Sequence, residues 1–201
     1  MYKSKHFEYG QIEIDYLKNR DKKLGEAIDT IGIIKRQIKP DPFTALISSI
    51  ISQQISNKAA KTVWNRLCEL LENNTPESIA QLDVSKIRSC GMSERKAGYI
   101  KGIAEAAITG KVDFNRIHTL TDEEIIVKLT SLRGVGLWTA EMLLIFSLCR
   151  PDIVSYNDLA IRRGMMNLYG LKEVPKDTFE RYRRSYSPYG SVASLYLWEL
   201  S

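Results

Sequence analysis

Residues 132–140, Leu-Arg-Gly-Val-Gly-Leu-Trp-Thr-Ala, admit few backbone arrangements. Two glycines one residue apart stand directly before a helical pattern. Gly134 and Gly136 both permit positive φ and leave their amides uncovered by side chains. Thr139 and Ala140 then open a helix whose free N–H groups and positive dipole end point back at the turn. The helix continues as Glu-Met-Leu-Leu-Ile-Phe-Ser-Leu to Leu148, apolar almost all round, which predicts a buried central helix. A turn of this kind traps anions, and on a basic chain the anion that suits it is a nucleic-acid phosphate. Beyond it, Asp158 stands among neutral neighbours just before another helical pattern. The stretch therefore pairs a phosphate clamp with a carboxylate.

The rest of the composition narrows what that pair can serve. A chain of 201 residues suits one domain, or two small lobes sharing a cleft. The formal net charge of +5 tilts its partners toward polyanions, though only mildly. Cys68, Cys90 and Cys149 are isolated and odd in number, which reads as reduced, mostly buried thiols rather than disulfides or a metal site. His6 and His118 are unclustered, so zinc is not expected. The basic N-terminus, Met-Tyr-Lys-Ser-Lys-His, is followed by no apolar run of a leader, and no window reaches a transmembrane length. The expectation is a cytoplasmic protein that does not engage membranes.

Taken in order, the chain reads as helix after helix. Residues 1–22 are polar with a partial alternation at Phe7, Tyr9, Ile12 and Ile14, which suggests a short extended segment. Leu24, Ala27, Ile28 and Ile31 recur at helical spacing and predict a helix over about 22–37. Asp41-Pro42 starts the next, with an acceptor at the cap and proline at the first position. Its broad apolar face, Phe43 to Ile55, is interrupted by Ser52-Gln53-Gln54. Thr75-Pro76 starts another helix in the same way. Residues 84–107 hold a short helix, a turn at Gly91-Met92 and a longer helix, a weak echo of the glycine hairpin. Thr121-x-x-Glu124 is a capping box. Helices follow over 159–170 and 176–185, both rich in arginine, and Ser187-Pro188 is read as the cap of a last helix. The fold expected is all-α, about ten helices joined by short loops.

Several of these pieces, in this order, resemble one family. They are Asp41-Pro42-Phe43, Ile51 to Ser56 followed by Lys58-Ala-Ala60, Arg95-Lys96-Ala97, the hairpin 132–140, and Tyr156-Asn-Asp-Leu159. Together they look like a base-excision DNA glycosylase of the helix-hairpin-helix superfamily, in its DNA-3-methyladenine glycosylase branch. The resemblance covers about residues 24–200. It implies a two-lobed helical fold with the base pocket between the lobes, all of 1–201 forming one glycosylase unit. One lobe would be the middle of the chain, about 41–150 with the hairpin; the other would join 1–40 to 151–201. It also implies a monomer acting on damaged double-stranded DNA in base-excision repair.

The resemblance assigns roles residue by residue. Asp158 falls where the family carries its catalytic aspartate. Breaking an N-glycosidic bond builds positive charge on the sugar, which a fixed carboxylate stabilises while water attacks. Helix-start N–H groups favour a charged carboxylate there, and a plain helix cap is the bland alternative for the same residue. Trp138 occupies the position where strand-nicking relatives place a nucleophilic lysine, so the implied enzyme is monofunctional and leaves an abasic site. Flipping the base out costs energy that stacking in the pocket must help offset. Trp138 and Trp198 align with pocket aromatics whose faces would hold a cationic alkylated purine. Met142 stands where relatives often carry tyrosine, which bears on base preference.

Gln54, with Gln53 and Ile55 as rivals, would fill the gap left in the stack, unless the two glutamines merely cap a helix end. Gly134, Gly136 and Thr139 would clamp a phosphate, with Arg133, Arg162, Arg163 and Lys96 as further phosphate contacts. A monovalent cation bridging the hairpin carbonyls is a feature of the family, and no other metal or cofactor is expected. With no cysteine after Cys149, no iron–sulfur cluster is expected. Two other readings stay open. One is the same scaffold acting on uracil, a mismatch or an oxidised purine. The other is a helix-hairpin-helix DNA-binding module without catalysis, against which Asp158 argues.

Overall fold

The computed structural model describes residues 5–71 and 73–201. Residues 1–4, on which much of the leader reading rests, lie outside the described residues. Among the described residues there are twelve α-helices: α1 Gln11–Arg20, α2 Lys22–Ile31, α3 Pro42–Ser52, α4 Asn57–Leu70, α5 Pro76–Ala80, α6 Val84–Ser89, α7 Glu94–Ile108, α8 Asp122–Thr130, α9 Leu137–Phe146, α10 Leu159–Tyr169, α11 Lys176–Tyr186 and α12 Gly190–Glu199. The fold is all-α, with one isolated β-bridge between His6 and Gln37 among the described residues. The chain divides into two compact units, residues 39–143 and residues 1–38 with 144–201; the second division falls inside α9.

In the unit of residues 39–143, α7 packs against α3, α5 and α6. The apolar faces of α3 and α7 supply its core through Leu46, Ile47, Ile50, Ile51, Ala97, Ile100 and Ile103, all fully or almost fully buried. The starts of these helices are sealed as their sequences dictate. Asp41 accepts the Thr44 amide at 2.8 Å, with Pro42 at the first position. Ser56, Thr75 and Ser93 do the same for α4, α5 and α7. Thr121 and Glu124 close a reciprocal capping box at α8. Each such cap contributes about 1 kcal/mol.

In the unit of residues 1–38 and 144–201, α12 is the buried helix, and every residue from Gly190 to Leu197 is inaccessible. Helices α2, α10 and α11 lie against it. The approach of α10 is backbone to backbone. A Cβ on Gly164 would lie 2.0 Å from the Leu197 carbonyl oxygen, so only glycine fits.

Four sequence expectations need correction. The helix expected over 22–37 ends at Ile31, with Gly32 at positive φ as its C-cap, and the backbone of residues 36–38 pairs instead with the N-terminal segment. Phe7 N donates to Arg36 O at 2.8 Å and Ile38 N to Lys5 O at 3.0 Å. The extended reading of residues 1–22 applies only around that bridge, since α1 follows at once. Its apolar signal is faint because only Ile14 and Leu17 are buried while Ile12 is 74% exposed. The helix count, about ten in expectation, is twelve among the described residues, α1 being the one without a counterpart in the sequence reading. Finally, Ser187-Pro188 does not cap the last helix. Asp152 does so, accepting Gly190 N at 3.1 Å on one oxygen and Ser187 Oγ at 2.5 Å on the other.

Candidate functional site

The glycine hairpin joins α8 to α9. Val135 N donates to Leu132 O at 3.2 Å to close the turn, and Ala140 N to Gly136 O at 3.1 Å begins the helix. The helix thus starts at Leu137, two residues earlier than the sequence suggested. Gly134 has φ +86°, the left-handed region that favours glycine. It is fixed a second time by Tyr99 of α7, whose ring would lie 2.2 Å from any added Cβ. Gly136 differs from expectation: its φ is not positive, and open space surrounds the position a Cβ would take. Its use is the bare approach it leaves to the first turn of α9, whose amides have no partners within the helix. Thr139, in the first turn of α9, is buried.

The turn between α3 and α4 is built against this hairpin. Gln53 ends α3, and its side-chain amide Nε2 donates to the Gly134 carbonyl at 3.1 Å. Lys96 Nζ donates to the carbonyls of Ile51 at 2.8 Å and Gln53 at 2.5 Å. Two of the Lys96 ammonium's hydrogen bonds thus close the carbonyl end of α3. Burial holds its ammonium below the usual lysine range. Gln54 follows with φ +60°, a conformation that costs a non-glycine residue about 1–3 kcal/mol. Gln54 and Ile55 are both exposed, whereas Gln53 is half-buried.

On α9, Trp138 is 40% exposed, so it is not a core tryptophan. Met142, one turn on and on the same face, is half-buried. Both belong to the unit that holds the hairpin and Gln53–Ile55.

Asp158 and Trp198 belong to the other unit. Asp158 is the N-cap of α10, and its Oδ1 accepts the amides of Ala160 at 2.9 Å and Ile161 at 3.0 Å. It is 7% exposed. The cap reading of this residue is therefore met, with one carboxylate oxygen taking both amides. The segment leading to it, residues 151–157, is stitched to α12. Ser191 Oγ accepts Ile153 N at 3.0 Å and donates to Arg150 O, while Ser194 Oγ donates to Ile153 O at 2.9 Å. Together with Gly164, these serines set Asp158 against a helix that cannot shift without breaking buried hydrogen bonds. Trp198 lies on the same α12, half-buried, with the Phe146 ring 5.3 Å away at 34°.

The remaining candidates separate by exposure. Arg133 and Arg163 are exposed. Arg162 is half-buried, its guanidinium 5.1 Å from the centre of the Tyr156 ring. Among the described residues no group of three or more His, Cys, Asp or Glu is placed to hold a metal ion. Sequence reasoning missed Tyr99, Asp152, Gly164, Ser191, Ser194 and Phe146. No local pattern in the sequence marks these residues.

A helical protein with a glycine hairpin and a capped, buried aspartate after it defines a class, and the comparisons agree. The chain belongs to the HhH-GPD superfamily of base excision DNA repair proteins, whose model matches residues 47–188. It is 35% identical to DNA-3-methyladenine glycosylase 1 of Schizosaccharomyces pombe over 196 residues, covering 95% of this chain and 86% of that protein. The structure of a DNA-3-methyladenine glycosidase from Bacillus halodurans superposes with a TM-score of 0.87 at 34% identity, covering 98% of this chain and 92% of the other. The Schizosaccharomyces pombe 3-methyladenine DNA glycosylase in complex with abasic DNA gives a TM-score of 0.81 at 34% identity, covering 94% and 96%.

Proposed function

We propose that this protein is a monofunctional DNA glycosylase that removes alkylated bases of the 3-methyladenine type from double-stranded DNA. The observation that carries the chemistry is the mounting of Asp158. Its carboxylate is buried, aligned by two α10 amides, and backed by a loop bonded to α12. The bond between the sugar C1′ and the base nitrogen breaks, and its electron pair leaves with the base. Positive charge then builds on the sugar beside the carboxylate, which stabilises it and orients water for attack at C1′. The products are the free base and an abasic site. Trp138 supplies no amine, so no Schiff base forms and the strand is left intact. The names of the relatives support alkylated purines as the substrate class, and the partly exposed Trp138 is an aromatic ring of the kind that attracts a cationic one.

The test is base release from methylated duplex DNA and from duplexes carrying single uracil, 8-oxoguanine or ethenoadenine lesions. We expect 3-methyladenine in the released fraction and strands that break only after alkali. Borohydride should trap no covalent complex. Release of uracil or 8-oxoguanine alone would replace this reading with another lesion class, and nicks without alkali would refute the monofunctional chemistry.

A further inference from the structure

Helix α7 and the chain leaving α8 enclose a groove of about 350 Å³. That volume falls in the range of small-ligand sites, about 300–1,000 Å³. One wall is the face of α7 that carries Tyr99, Gly102 and Ala106, three and four residues apart, and runs on to Thr109. The other is the segment from Ser131 to Arg133. Gly102 gives the groove its depth. It stands in the interior of α7, where every residue but proline is more favourable than glycine. Its φ is not positive, and among the described residues no atom from elsewhere in the chain lies within 4 Å of the place a Cβ would take. Neither backbone geometry nor internal packing therefore calls for glycine there.

The polar lining sorts into acceptors and donors. Thr109 Oγ1 donates to Glu105 O at 2.9 Å, and Ser131 Oγ donates to Lys128 O at 2.7 Å. With their protons committed, both hydroxyl oxygens have only lone pairs to offer a ligand. The exposed Glu105 carboxylate is a third acceptor, while the exposed Lys111 and Arg133 supply donors and positive charge. A ligand that uses both sets must bring N–H groups and oxygens together. A DNA backbone does not, since a phosphodiester carries acceptors alone and would face three more. An extended polypeptide main chain does, and a bare glycine lets it come close to the helix. Two cations against one carboxylate favour an acidic sequence. We propose that this groove binds an extended, acidic peptide segment of a partner protein. Its main chain would lie over Gly102 and its carboxylate would meet Lys111 and Arg133. The proposal goes beyond the base-excision reading and does not depend on it.

The test follows the amide NMR signals of isotope-labelled protein during titration. The probe is a pool of pentapeptides, acetyl-Ala-X-Asp-X-Ala-amide, with every amino acid at X. A matched pool with lysine at the centre, sodium acetate and a single-stranded oligonucleotide serve as comparisons. The acidic pool should give saturable shifts confined to the amides of residues 99–111 and 131–133, which the lysine pool and acetate should not reproduce. Gly102→Leu fills the floor and favours the helix, so its Tm should stay at or above that of wild type while the apparent Kd of the pool rises about tenfold. Lys111→Glu should raise the Kd about fivefold. Equal shifts from acetate or the lysine pool would overturn the proposal, because charge or bulk alone would then suffice. Undiminished binding to Gly102→Leu would overturn it too, as would the absence of saturable shifts at these amides. Shifts there from the oligonucleotide alone would assign the groove to nucleic acid instead. Base release tests the excision reading separately: Gly102→Leu should release 3-methyladenine at the wild-type rate, and failure of wild type to release it would leave the peptide result standing.

Discussion

The most consequential single residues are ones whose replacements have nowhere to go. Gly164 is the clearest, because a methyl group there would overlap the Leu197 carbonyl rather than a movable side chain. Gly164→Ala must therefore push α10 away from α12, and we expect a loss of about 3 kcal/mol, at the upper end of ordinary overpacking, read as a fall in Tm and in the urea midpoint. Since α10 begins at Asp158, base release should fall with it even at temperatures where the variant is folded. Ser191 makes a complementary case, with one hydroxyl serving both Ile153 N and Arg150 O. Ser191→Ala leaves a buried amide without its acceptor, which costs about 1–3 kcal/mol. Asp158 itself separates into two roles by choice of variant. Asparagine keeps a carbonyl oxygen to accept the amides of Ala160 and Ile161 and removes only the charge. Alanine removes the cap as well, at about 1 kcal/mol.

At the scale of elements, the hairpin and the α3–α4 turn act as one piece through Gln53. Gly134→Ala meets both a positive φ and the Tyr99 ring, so it should distort the turn and weaken DNA binding, measurable as a raised Kd for duplex DNA of any sequence. Much of this was legible in the sequence. The caps at Asp41, Thr75 and Thr121 follow from local chemistry, and the helix after Gly136 follows from its apolar run. Asp158 as a cap before α10 was legible for the same reason. What was not legible depends on partners far away in the chain. Lys96 looks like any exposed helix cation until the carbonyls of Ile51 and Gln53 are placed beside it. Tyr99 and Gly164 carry no local mark of the backbone they touch. Helix α1 escaped notice because two buried residues in ten make no periodic stripe. The extension of α2 to residue 37 failed because pairing with residues 5–7 outweighs local helical spacing.

For the whole molecule, the net charge of +5 and the exposed Arg133 and Arg163 make binding to DNA depend on released counterions. The logarithm of the binding constant should fall linearly with the logarithm of salt concentration, by about 0.9 for each phosphate neutralised. Arg133→Ala should shallow that slope by about 1 without changing which lesion is preferred. Such a result would establish contact with the backbone but not the chemistry. The chemistry turns on one charge held at one place in the fold. Single-turnover release of 3-methyladenine from methylated duplex DNA, compared between wild type and Asp158→Asn, measures it most directly. With the cap retained and the charge gone, release should fall about a hundredfold or more while duplex affinity and Tm stay near those of wild type. Release at the wild-type rate by folded Asp158→Asn would contradict the account.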